Sequence, residues 1–113
     1  MVKINLIKKP RKFKVGIKDL IEIKEVAKIN LKSNEQVVFV SKKKNYDFVK
    51  KNWGYYATPS INGRLKDEGY KAALVKNEVS KIYLMVVDKD KIKVFKKYCK
   101  KEKQKIIKWL DEY

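Results

Sequence analysis

The sequence contains no histidine. That removes the commonest general base and metal ligand, and with it every Ser-His or Cys-His nucleophile pair. A single cysteine, Cys99, allows no internal disulfide, and without histidine it cannot build a zinc site. This cysteine usage suits a reducing compartment, so a cytoplasmic location is expected. Neither phosphate-cradling loop, G-x-x-x-x-G-K-[ST] or G-x-G-x-x-G, occurs. No run approaches the ~20 apolar residues that a membrane helix needs. The start, MVKINLIKKPRKFKV, is basic but lacks the apolar core and small-residue cleavage site of a signal peptide. Arginine is scarce as well: of 30 basic side chains only Arg11 and Arg64 are arginines.

Lysine dominates what is present. The net charge is +17 over 113 residues, and 44% of the residues are hydrophobic, enough for one core. Lysine, isoleucine and asparagine together are what an AT-rich genome encodes, which gives the charge a bland origin. Its placement is more informative. Residues 1–18 carry six lysines and one arginine without an acid, and residues 89–108 carry ten lysines against Asp90 and Glu102. The middle is nearly balanced. The chain therefore reads as a basic arm, 1–16, followed by a single domain, 17–113. Such lysine blocks meet polyanions or acidic partners, with a solvated face as the default.

Periodicity predicts an α+β fold. Ile17, Leu20, Ile21 and Ile23 fit a helix over 17–26. Gln36–Val40 and Tyr46–Val49 form a hairpin over 36–49, and YKAALVK with KIYLMVV forms a second, strongly buried hairpin over 70–87. Thr58 as N-cap and Pro59 in the first turn start a helix over 59–68, which Gly69 stops. Asp88 or Asp90 caps a helix over 89–101 with Ile92, Phe95, Tyr98 and Cys99 on one face. Edge strands are expected over 2–7, before KKPRK breaks the chain, and over 105–110. The last segment also fits a continued helix, but KKEKQK has no apolar residue to hold one down. The two hairpins are expected to share one antiparallel sheet carrying two or three helices.

One stretch departs from this lysine-rich background. NWGYYATPSINGRL, Asn52–Leu65, gathers a tryptophan, two tyrosines, a proline, two glycines and an arginine. Two readings compete. In one, Trp53, Tyr55 and Tyr56 fill a core between strand and helix. In the other, free N–H groups of a helix N-terminus attract an anion beside Ser60, Asn62 and Arg64, and Trp53 or Tyr55 stacks on a base or sugar. Arg64 offers a planar fork that lysine cannot copy. The electrostatic candidates are Lys8, Lys9, Arg11, Lys12 and Lys14 in the arm, with Lys96, Lys97, Lys100 and Lys101 near the C-terminus. Asp67, Glu68 and Cys99 are the remaining chemical groups. The carboxylates read as solvated or capping, and the spacing of Cys99 turns it inward.

EQVVFV at Glu35–Val40, YDFVKKNWGYYATPSINGRL at Tyr46–Leu65, KIYLMVV and the closing KWLDEY resemble a small, little-characterised bacterial family with a W-G-[FY]-Y-A-T-P-S-[LI]-N-x-R-L core. The likeness covers roughly residues 17–112 and leaves the basic arm outside it. The resemblance implies an accessory protein in gene clusters for surface polysaccharide and nonulosonic-acid sugars. No activity comes with it.

Two functions are therefore carried forward. The first is a non-enzymatic basic module that binds RNA or DNA through its lysine-rich ends and the aromatic stretch. The second is an accessory or regulatory protein of surface-glycan synthesis that binds a nucleotide sugar or a partner enzyme through Trp53–Arg64. No cofactor is expected in either. A catalyst built on Asp67, Glu68 or Cys99 and a membrane-surface role for the lysines rank below both.

Overall fold

A computed structural model describes residues 3–112. It divides into two compact units. One comprises the residues up to Val38 with Asp47–Ala57, and the other comprises Phe39–Tyr46 with the chain from Thr58 onward. The α+β expectation is overturned: strands hold more than half of the described residues, in three small sheets, and one helix alone exceeds a single turn. The two predicted hairpins lie in different sheets.

In the first unit, β1 (Lys3–Val15) and β2 (Ile21–Asn30) pair as an antiparallel ribbon. The turn between them uses left-handed backbone at Gly16 (φ 86°), Lys18 (64°) and Asp19 (50°). Glycine takes that conformation freely; Lys18 and Asp19 do so at a cost. The helix predicted over 17–26 is thus a 3-10 turn, Ile17–Asp19, followed by a strand. Ile21 and Ile23 lie opposite Val15 and Phe13, and Leu20, which the helical face needed inside, is exposed. Stiff β-branched side chains at Ile21, Ile23, Val26 and Ile29 suit a pleated ribbon better than a helix.

The predicted edge strand over 2–7 extends to Val15, while Met1 and Val2 lie outside the described residues. KKPRK bends this strand without ending it. Between the pairs Leu6–Ala27 and Arg11–Glu25, β1 has Ile7–Pro10 where β2 has only Val26. A bulge of this kind tolerates Pro10, which has no N–H to donate.

The second sheet orders β3 (Gln36–Ser41), β4 (Lys44–Lys51) and β5 (Gly54–Ala57). The far end of the β3–β4 hairpin, Phe39–Tyr46, belongs to the second unit. Asp47 is buried on β4, where its Oδ2 accepts a hydrogen bond from Gln36 Nε2 at 2.7 Å.

The second unit holds α1 (Arg64–Asp67), β6 (Tyr70–Lys76), β7 (Ile82–Asp88), α2 (Ile92–Lys101) and β8 (Lys105–Trp109). The helix predicted over 59–68 shrinks to the single turn α1. Asn62 and Gly63 favour turns, and Leu65 (1% exposed) is the one deeply buried apolar anchor within that turn, too little to propagate a helix through packing. Neither Thr58 nor Pro59 starts it; Gly63 is its N-cap, its carbonyl accepting from the Lys66 and Asp67 amides. Gly69 (φ 85°) ends it in the expected left-handed conformation.

β7 and β8 both pair antiparallel to β6 and flank it in the order β7-β6-β8, with α2 as the crossover. This split βαβ unit encloses a small core of Ala73, Val75 and Cys99, packed by Met85, Phe95, Ile106 and Trp109. The predicted helix over 89–101 and strand over 105–110 are present as α2 and β8, and Asp88 caps the turn before α2 by accepting from the Asp90 amide. β7 departs from the buried strand expected: Ile82, Tyr83 and Leu84 are exposed, because β7 is an edge. Among the described residues, no helix is long and apolar enough to cross a membrane.

Candidate nucleic-acid interface

The aromatic cluster is built by a tight turn. Lys51 pairs with Gly54, so only Asn52 and Trp53 connect β4 to β5. Gly54 has φ 142°, a conformation that L side chains rarely adopt. Trp53 therefore projects from the hairpin tip and is 67% exposed. It stacks on Tyr56, with ring centroids 6.2 Å apart and planes inclined by 19°. Neighbouring Tyr55 points to the opposite face, since successive strand residues alternate. Its ring lies 4.8 Å from the ammonium of Lys50, its cross-strand partner. All three aromatics are exposed, so none fills a core and the core-packing reading of this stretch fails.

The ribbon of the same unit carries the arm's charges. Arg11 directs its fork at Glu25, with Nη2 at 2.9 Å and Nε at 3.3 Å from one carboxylate oxygen, and its guanidinium stands 4.6 Å over the Phe13 ring. It acts as a brace for the ribbon. Lys8 and Lys9 ride on the bulge, and Lys14 faces Glu22. Lys12 sits directly opposite Lys24, and both are exposed. Like charges in that position destabilise a ribbon unless an anion lies between them.

The remaining candidates fall in the second unit. Ser60 Oγ accepts from the Arg64 amide at 3.0 Å, while the Leu65 and Lys66 amides bond Ser60 and Gly63 carbonyls. The first N–H groups of this one-turn helix are thus occupied. Arg64 donates from Nη2 to Thr58 Oγ1 at 3.0 Å and places Nη1 3.8 Å from Glu68. Asn62 is exposed. The six-residue ligand set therefore divides, with Trp53, Tyr55 and Tyr56 in one unit and Ser60, Asn62 and Arg64 in the other. Lys96, Lys97, Lys100 and Lys101 are exposed along α2.

Two ion clusters went unnoticed in the sequence because their members are far apart along it. Lys44 Nζ lies 2.7 Å from Asp88 Oδ1 and 3.7 Å from Asp90, and it donates to the Gly69 carbonyl at 3.3 Å. The hydrogen bond from Lys44 holds the Asp88 carboxyl below the usual aspartate range, and the same bond raises Lys44. Lys71 Nζ sits 3.0 Å from Glu112 and 3.7 Å from buried Asp111, above the Trp109 ring at 4.8 Å, and its hydrogen bond to Glu112 raises it. Neither cluster left a local pattern to read. Lys50 and Lys24 were missed too, although an Asn-Trp-Gly turn between alternating strands would have signalled the Lys50–Tyr55 pairing.

Cys99 is buried, and loss of water pushes its thiol upward, away from a reactive thiolate. Among the described residues, no three histidine, cysteine or carboxylate side chains gather in a metal-holding group. Comparison with protein-family models, with curated proteins and with solved structures finds no match.

Proposed function

We propose that this protein binds single-stranded nucleic acid without catalysing a reaction on it, through the first unit. The observation that carries this reading is the exposed Trp53–Tyr56 stack at the β4–β5 tip, with Lys50 beside Tyr55 on the same hairpin. Exposed aromatics accept unstacked bases face to face, and nearby lysines neutralise the phosphates between those bases. Facing lysines on the ribbon, Lys12 and Lys24, supply a second phosphate position. Base stacking tolerates any sequence, so little sequence preference is expected. The scarcity of arginine, the residue that reads guanine edges, points the same way.

The test is fluorescence polarisation with labelled 20-mers of RNA and DNA over a salt series. Trp53→Ala should weaken binding at least tenfold, which corresponds to the middle and upper part of the ~1–3 kcal/mol per stacked base. Lys12→Ala with Lys24→Ala should lower the slope of log affinity against log salt by roughly one to two units. Affinity and slope unchanged in both variants would refute the proposal. A nucleotide sugar that binds, with loss in Arg64→Ala alone, would favour the glycan-accessory role instead.

A further inference from the structure

β7 (Ile82–Asp88) is the outer strand of its sheet, and the hydrogen-bond register fixes which of its groups face outward. The hairpin is bracketed by bonds from the Asn77 amide to the Lys81 carbonyl and from the Lys89 amide to the Gly69 carbonyl. Antiparallel pairs alternate between bonded and non-bonded. Tyr83, Met85 and Val87 therefore bond β6, while Leu84 and Val86 present N–H and C=O to the free edge.

Alongside this edge runs an open groove of about 390 Å³ between β7 and α2. Met85, Val86, Val87 and Asp88 line one side, and Lys91, Val94, Phe95 and Tyr98 the other. Side chains alternate along a strand, so four consecutive lining residues mean that the backbone edge itself forms part of the wall. The floor is apolar. Lys91 stands at one end, and Lys101, three residues beyond Tyr98, continues the same helix face. The segment 89–108 holds ten lysines against two acids.

We infer that β7 and α2 form a docking site for an extended acidic peptide of a partner protein, which adds as a strand to the Leu84–Val86 edge. Alternate apolar side chains of that peptide enter the groove, and its carboxylates meet Lys91 and Lys101. Strand addition of this kind draws affinity from main-chain bonds and selectivity from the groove. Charge decides the occupant. A second copy of this chain would bring one lysine-rich helix beside another, and an uncharged strand would leave the lysines unmet. This site is separate from the aromatic hairpin and does not depend on the nucleic-acid reading.

The probe is a fluorescein-labelled decapeptide of five Val-Glu repeats. Its controls are five Val-Lys repeats and the acidic peptide with its two central valines replaced by proline. The intact protein should bind the acidic peptide at least tenfold more tightly than either control. Val86→Pro removes an outward N–H and no ladder bond, as edge strands tolerate. It should weaken binding at least tenfold while the thermal transition stays cooperative. Should Val86→Pro fail to fold, Val94→Glu, on an exposed position of α2, should cause the same loss through repulsion. Equal binding of the proline peptide, or unchanged affinity in both variants, overturns strand addition. A dimer that Val86→Pro dissolves, or displacement of the peptide by a 20-mer of thymidine, overturns the choice of occupant.

Discussion

At the residue scale, stability rests on a few buried contacts. Leu65 is the largest of these in α1, and Leu65→Ala should destabilise the protein by about 2–5 kcal/mol, read from urea denaturation. A loss below about 1 kcal/mol would mean that the turn contributes little to its unit. The Lys44–Asp88 pair makes stability depend on pH in a definite sense. Asp88 titrates lower when folded, so its contribution is present at neutral pH and is lost as pH falls through its lowered value. Lys44 titrates higher when folded, so its contribution holds below the usual lysine range and disappears as pH rises through its raised value. Asp88→Asn keeps an oxygen for capping but loses the charge. Its melting temperature should fall below wild type near neutrality, and the gap should close in acid and in strong alkali. A gap constant over pH would show that the ion pair contributes nothing.

At the element scale, the strands and α2 were legible in the sequence where local pattern and tertiary need agreed. The β6–β7 hairpin, α2 and β8 follow from β-branched runs and from the spacing of Ile92, Phe95 and Cys99. β2 was misread because Ile17, Leu20, Ile21 and Ile23 satisfy a helical period by chance. The left-handed turn at Gly16–Asp19 decides the matter, and turn geometry of that kind leaves a weak trace in sequence. The 59–68 helix failed for a different reason: good start and stop signals enclosed only Leu65 as an anchor. Of the candidate site, the aromatic stretch is legible in the sequence but the exposure of its rings and their surroundings are not, since Lys50 and Lys24 meet their neighbours across strand pairs. The β4–β5 turn is itself testable. Nothing lies within 4 Å of a Cβ built on Gly54, yet its φ of 142° strains any other residue. Gly54→Ala should therefore cost about 1–3 kcal/mol through backbone strain alone. Stability within about 0.5 kcal/mol of wild type would show that the hairpin relaxes to another turn.

At the scale of the whole molecule, the positive charge is divided between two units whose charged elements differ in kind. One is a lysine-bearing ribbon in the same unit as exposed aromatic side chains. The other is a lysine-rich helix beside an open strand edge. Charge alone attracts any polyanion weakly and releases it as salt rises. Aromatic stacking does not share that salt dependence, which separates a dedicated nucleic-acid site from genomic lysine excess. The most direct measurement is the polarisation of a labelled 20-mer at physiological salt for wild type and Trp53→Ala. Stacking on Trp53 predicts binding by the wild type, at least tenfold weakened in the variant, with both proteins melting within a few degrees of each other. Equal binding by the two proteins, or binding that vanishes at modest salt for both, would contradict it.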